Sequence, residues 1–322
     1  MAQPELTPEK QFHQVQHVEV DASAAGQRID NFLMRLLKSA PRSLVYRLLR
    51  TGQVRVNKGR AKPSMKLNAG DVVRIPPMTL ATANTVHLPA GAISALEQSI
   101  VREDDHWIFI NKPEGLAVHA GTGVNFGVID LAQRIFDDKN IALVHRLDRE
   151  TSGCLVLARN RIAAVHFQQC LRNGTVRKRY TAMVAGKVAG SFREDAPLQK
   201  NQPQDGERMV VVDHRIGKSA VSHFSPACTG EASSIVDVEI ETGRTHQIRV
   251  HAAHRGHPIL GDARYGDRNT NKRLVATLGK RMYLHAAQIS FPKLDGSGAE
   301  PDIGLACEVK DEWQALHKMI NS

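Results

Sequence analysis

Over residues 18–79 of this 322-residue chain, apolar positions recur first at helical and then at strand spacing. Ile29, Phe32, Leu33, Leu36 and Leu37 follow Gly26 on one helical face and predict an amphipathic helix. Lys38-Ser39-Ala40-Pro41 breaks it. Leu44, Val45, Leu48 and Leu49 predict a second helix that ends near Gly52. Val54 and Val56 then alternate with Gln53, Arg55 and Asn57, the pattern of a half-buried strand, and AGDVVRIP at 69–76 gives a turn and another strand. Residues 1–17 have no periodicity and read as a flexible tail. Residues 80–97, rich in Ala, Thr, Pro and Gly and poor in charge, read as a linker.

Residues 98–322 follow a different pattern. HWIFINKP, GLAVHA, IALVHRLD, CLVLAR, RYTAMVAG, SIVDVEIE and LHAAQISF read as strands, and VIDLAQRIFDD and IAAVHFQQCLRNG as helices. Strands outnumber helices and adjoin one another. The expected fold class is therefore α+β, with a mixed, largely antiparallel sheet behind a small N-terminal module.

Hydrophobic residues make up 42% of the chain, enough for a packed core. No apolar run approaches the roughly 18 residues of a membrane span. The opening MAQPELTPEKQFHQ has no apolar signal segment, so a cytoplasmic location is expected. Cys154, Cys170, Cys228 and Cys307 form no C-x-x-C pair, which argues against a zinc site or disulfide framework. The absence of heptads and of long apolar edge segments suggests a monomer.

The net charge of +10 points to a polyanionic partner, and its distribution sharpens that reading. Residues 19–79 hold 12 Lys and Arg against 4 Asp and Glu, a net +8. Arg28, Arg35, Arg42, Arg47, Arg50, Arg55, Lys58, Arg60 and Lys62 fall between the apolar positions and should project outward. With so few carboxylates among them, they suit phosphate contact, because clustered cations release counterions from nucleic acid.

The densest polar cluster is HRLDRETSG at 145–153, set between two apolar runs. Asp148, between Arg146 and Arg149, suits a nucleophile, a general base or a metal ligand, or a turn aspartate bonded to its own backbone. The histidines at 246, 251, 254 and 257 lack zinc-helix spacing, and no Cys or Glu stands at ligand spacing beside them. His246 and His251 are better suited to hydrogen-bonding the frame of a site or RNA. GTGVNFG at 121–127 lacks the Lys-Ser/Thr of a triphosphate-binding loop, and Cys154, starting an apolar run, reads as a buried thiol.

Several longer strings carry a resemblance. The segments GQRIDNFL, SLVYRLLRTGQVRVNKGR and AGDVVRIP are similar to the alpha-L RNA-binding module. HRLDRETSG resembles the catalytic motif of the RluA-type pseudouridine synthases. INKPEGLAVH, RKRY and ETGRTHQIRVHAAHRGHPILGDARYG match further family segments in the same order. The family resemblance covers roughly 98–320.

It implies an isomerase that converts uridine to pseudouridine, in the branch acting on large-subunit ribosomal RNA or its assembly intermediate, without cofactor or metal. It further implies that Asp148 is the catalytic aspartate, that Tyr180 stacks on the target uracil and aids proton removal from C5, and that Arg249 pairs with Asp148. Arg146 would enter the gap left by the flipped uridine, and Leu284 would line the pocket. Two parallel hydrogen bonds from Arg249 to Asp148 are the expected geometry. The competing classes are a non-catalytic RNA-binding or ribosome-assembly factor, which needs no carboxylate facing a polyanion, and a hydrolytic nuclease, which needs metal ligands or a histidine pair.

Overall fold

The structure is a computed structural model and describes residues 14–37, 40, 42–78, 88–121, 124–201, 209–294, 302–307, 309 and 311–322. The chain divides into two compact units, residues 1–87 and 88–322.

In the first unit the elements are β1 (Gln16–Glu19), α1 (Ile29–Leu36), α2 (Arg42–Arg50), β2 (Arg55–Val56), β3 (Gly59–Arg60) and β4 (Val72–Ile75). The sheet order is β1-β4-β2-β3. Ile29, Phe32, Leu33, Val45, Leu48 and Leu49 from the helices bury against Val54, Val56, Val73 and Ile75, so the predicted apolar faces do meet. Of the tail expected over 1–17, residues 1–13 lie outside the described residues, and Gln16 and His17 already pair with Ile75 and Arg74.

The second unit contains α3 (Ala90–Glu97), β5 (Ile100–Glu103), β6 (Trp107–Lys112), α4 (Val128–Ile135), β7 (Ala142–Leu143), β8 (Ser152–Ala158), α5 (Arg161–Arg172) and β9 (Arg177–Ala185). It continues with β10 (Phe192–Glu194), β11 (Leu198–Asn201), β12 (Met209–Val212), β13 (Ser222–Thr229) and β14 (Ser233–Ile240). The remaining elements are α6 (Gln247–His254), α7 (Arg268–Leu278), β15 (Leu284–Phe291), β16 (Ile303–Ala306) and α8 (Asp311–Asn321).

A ten-stranded sheet runs β10-β13-β14-β9-β15-β8-β6-β5, with β16 on β15 and β7 on β8. Its pairings are antiparallel except β15 with β8, so the sheet is mixed and largely antiparallel as the pattern predicts. β8 is buried along its whole length, which explains its unbroken apolar run. One core spans the sheet and helices α4, α5 and α6 through Leu131, Phe167 and Ile248. Within it Phe291 meets the edges of Trp107 and Phe167 at ring separations of 4.9 and 4.8 Å.

Two expectations change. The proposed linker at 80–97 contains a helix: Ala90–Glu97 follows Pro89 at its N-cap and buries Leu96, while 80–87 lie outside the described residues. Pro89 has the fixed φ that suits a helix start, and the alanines that made the segment look featureless favour helix. GLAVHA is not a strand; after β6 the chain turns through Gly115 and only Val118 is fully buried.

Candidate active site

The loop 144–151 leads from β7 into the buried strand β8. Leu147 anchors it in the core, and the His145 ring stacks on Phe167 at 5.7 Å. His145 Nε2 accepts the Val156 amide at 3.0 Å, and burial pushes this imidazole down to about 3, so it is a neutral structural acceptor. The Asp148 carbonyl accepts the Thr151 amide at 3.2 Å, closing the turn through backbone alone. The carboxylate is therefore free of the turn-bonding role. Lys112 Nζ, buried at the end of β6, donates to the carbonyls of Pro113, Leu116 and Arg149 at 2.7, 2.9 and 3.2 Å, tying the loop next to Asp148.

The cation that reaches Asp148 comes from α6, not from the flanking Arg146 and Arg149, which are exposed. Arg249 Nη1 donates to Asp148 Oδ2 at 3.2 Å. Arg249 is 3% exposed, so it is a buried residue and not a surface helix residue. Its two parallel hydrogen bonds, however, go elsewhere. Nε and Nη2 donate to Oδ2 and Oδ1 of Asp262 at 2.7 and 2.8 Å, leaving a single bond for Asp148. Asp262 is 1% exposed and also accepts the amides of Arg264 and Tyr265 at 2.9 and 3.1 Å.

Burial alone would raise the Asp262 carboxyl, but the Arg249 bonds and charge outweigh it and hold it below the ordinary value. Burial likewise opposes the Arg249 charge, and the two aspartates reverse that and push its pKa up. Sequence reasoning missed Asp262. Its only signal was its place in GDARYG, where Gly261 has φ +75° and a Cβ would meet the Arg281 carbonyl oxygen at 1.7 Å, so the position requires glycine.

A cavity of about 290 Å³ opens over this carboxylate, at the small end of ligand pockets and suited to a single base. Asp148, Tyr180, Arg249, Arg146 and Leu284 all line it, with His246 and Lys178 beside them. Tyr180 and Lys178 are two residues apart on β9 and so share a face. Burial, reinforced by the Asp148 charge, pushes the Tyr180 phenol up, so it stays protonated. Leu284 begins β15 opposite Ala182.

Helix α6 is set by Gln247. Its Oε1 accepts Thr242 Oγ1 and the Arg244 amide at 2.7 and 3.0 Å, and its Nε2 donates to the Val221 carbonyl at 2.9 Å. His246 precedes the helix in the left-handed conformation, φ 53°, an uncommon one for a residue with a Cβ. Its Nε2 lies 3.8 Å from Asp148 Oδ2.

These features have relatives. Residues 106–254 match the family model described as RNA pseudouridylate synthase, and 27–73 match that of the S4 domain. Ribosomal large subunit pseudouridine synthase C of Yersinia pestis is 45% identical over 86% of this chain and 88% of its own. The chain belongs to the RNA pseudouridylate synthase family. The Escherichia coli K12 protein of the same name is also 45% identical, with 86% and 88% covered. Among solved structures, human RNA pseudouridylate synthase domain containing 4 matches 71% of this chain and 95% of its own at TM-score 0.56 and 27% identity. Human RNA pseudouridylate synthase domain containing 1 shares the fold at TM-score 0.58 and 22% identity, covering 71% and 90%. Pseudouridine synthases are isomerases, and this chain is one of them.

The other residues expected to contact RNA lie in the S4-matching unit. Arg47, Arg50, Arg55, Lys58 and Arg60 are exposed. The side chain of Arg42 lies outside the described residues. Arg28 is engaged within the unit: its Nη2 and Nε donate to the buried Asp30 at 2.6 and 3.1 Å, and Tyr46 joins the same carboxylate at 3.0 Å. Together they hold Asp30 down to about 2. Arg28 thus braces the module's frame while its side chain stays 46% exposed.

Among the described residues no group of three or more His, Cys, Asp or Glu is arranged to hold a metal, and no helix is long and apolar enough to cross a membrane.

Proposed function

We propose that the chain isomerises uridines of large-subunit ribosomal RNA to pseudouridines, with Asp148 as the reacting carboxylate. The observation that carries this reading is the Asp148 side chain, held by a buried arginine against a base-sized cavity that a protonated tyrosine also lines.

A stacked uridine hides both faces, so it must leave its helix at a cost of a few kcal/mol. Stacking on Tyr180 recovers roughly 1–3 kcal/mol, and the exposed Arg146 at the cavity wall fills the vacated place in the RNA. The C1′–N1 bond breaks with its electron pair going to the base. The base turns within the pocket and C5 bonds to C1′. The C5 proton is lost and N1 gains one, so the product has the atoms of the substrate and the reaction draws on no redox partner. Leu284 supplies an apolar wall against which the base turns.

The test is a large-subunit ribosomal RNA transcript incubated with the protein and mapped for pseudouridine. Wild type should modify defined uridines. Asp148→Asn should bind the RNA and yield no product, and wild-type turnover by that variant would falsify the assignment.

A further inference from the structure

His246 is joined to a chain of hydrogen bonds whose direction is fixed at its far end. The Val210 amide of β12 donates to Tyr265 Oη at 2.9 Å, and a backbone amide can only donate. The Tyr265 hydroxyl lies 2.8 Å from His246 Nδ1. With Val210 donating to its oxygen, the phenol has its hydrogen to give, and turning it to Nδ1 makes that nitrogen the acceptor and completes the chain. Burial, opposed by Asp148 and reinforced by Arg249 and Arg264, lowers the His246 pKa, consistent with a neutral ring. A neutral imidazole that accepts at Nδ1 carries its one proton at Nε2.

That nitrogen is on the side of the ring nearest the reacting carboxylate. The 3.8 Å from Nε2 to Asp148 Oδ2 is too long for a hydrogen bond, so the donor remains available to a third atom in the cavity that both residues line. The backbone around it is unusual in the same direction: a non-glycine residue with φ 53° is rare, and such conformations persist where the surroundings hold them for a purpose. Tyr265 is itself held, its ring lying under the Arg249 guanidinium at 5.2 Å.

We propose that His246, fixed as an Nε2–H donor by Tyr265, reads the C4 carbonyl of the flipped uracil and so selects uridine over cytidine. This rests on the isomerase reading above. At C4 uracil presents an oxygen acceptor and cytosine an amino donor. A donor that cannot switch bonds the first and opposes the second, the kind of discrimination that leaves a buried polar group unpaired with the wrong partner. The same bond serves the chemistry. As C1′–N1 breaks, the electron pair left on the base spreads to its carbonyl oxygens, so the hydrogen bond strengthens where charge develops.

The experiment uses the full-length protein and a ribosomal RNA transcript carrying uridine or 4-thiouridine at one mapped target. Sulfur accepts hydrogen bonds weakly, so wild type should turn over 4-thiouridine roughly tenfold more slowly, the effect of one weakened charge-assisted bond. His246→Leu should lower kcat on uridine by about tenfold or more with KM little changed, and should bring the two substrates to near-equal rates. His246→Gln, which places an N–H donor at a similar reach, should restore most of the preference. Both variants carry the same backbone demand at φ 53°, so matched melting temperatures separate the readout from folding. If wild type prefers uridine and His246→Leu keeps that preference, the assignment is overturned while the isomerase reading stands. If wild type forms no pseudouridine at all, the isomerase reading fails and this one with it.

Discussion

Replacing Asp262 by asparagine should cripple the enzyme without touching any atom that meets the substrate. Arg249 and Asp262 are 3% and 1% exposed and are joined by two bonds of 2.7 and 2.8 Å. In Asp262→Asn the side-chain oxygen stays with the Arg264 and Tyr265 amides, and the new amino group faces Arg249 Nε, donor against donor. Removing one partner of a buried pair costs about 3–5 kcal/mol. For a unit of this size each kcal/mol lowers Tm by about 2–4 °C, so the melting point should fall by roughly 6–20 °C. The 3.2 Å bond from Arg249 to Asp148 loses its anchor at the same time. A misplacement near 1 Å costs on the order of a hundredfold in turnover. RNA affinity should hold, because the exposed cations are elsewhere. Acid sensitivity gives an independent reading. The Asp262 carboxyl lies below its ordinary 3.8, so its stabilising contribution is complete above that value and is lost as pH falls through the lower folded pKa. The variant should lack that acid-dependent component. Thermal melting and single-turnover pseudouridine formation are the assays. A variant that melts within about one degree of wild type and reacts at its rate refutes the idea that Asp262 positions the arginine.

Lys112→Met keeps the volume and leaves three buried carbonyls without a donor, so it should cost about 2 kcal/mol or more and slow turnover while RNA affinity is unchanged. Burial pushes the Lys112 ammonium down to about 7 from its ordinary 10.5. Between those values the unfolded chain binds more protons than the folded one, so this group's contribution to stability rises with pH there, and denaturation across the window should show a flatter profile for Lys112→Met. Changing Arg47, Arg50, Arg55 and Lys58 together to glutamine should weaken RNA binding and reduce the slope of log K against log salt by up to about 3, at roughly 0.7 per phosphate contact with single strands. An unchanged slope would show that these side chains face away from RNA.

Much of the molecule was legible in one dimension because its signals are local. The apolar faces of α1 and α2, the unbroken run of β8 and the helices α4 and α5 all follow from spacing that tertiary contacts did not override. The strands of β10, β11, β12, β13 and β16 were not legible. Each is short or polar on one face, and each owes its form to a partner far along the chain, as Phe192 of β10 owes its place to Phe224. Helix α3 was hidden by a composition of Ala, Gly and Pro that fits a connector equally well. In the site, motif order brought Asp148, Tyr180 and Arg249 into view, but the bidentate partner of Arg249 could not be deduced. Asp148 and Asp262 offer the same carboxylate, and only the fold decides which one receives two bonds and which is left with one.

Sheet order brings the walls of the cavity together. β15 lies between β9 and β8, and β15 with β8 is the parallel pair in an otherwise antiparallel sheet. Parallel pairing puts the starts of both strands at one end, with His285 beside Ser152. The loop that carries Asp148 and the first residue of β15, Leu284, therefore arrive at the same edge of the sheet. Had β15 run antiparallel to β8, Leu284 would stand at the opposite end from the carboxylate and the cavity would lose a wall. Gly153 enforces the arrangement: it has φ +105°, and a Cβ there would meet the Ala286 carbonyl oxygen at 2.3 Å. The glycine that closes HRLDRETSG is thus needed by the neighbouring strand as much as by the turn. Its place in the string reflects a contact made more than a hundred residues later, which is why the motif reads as one unit although its parts serve two different elements.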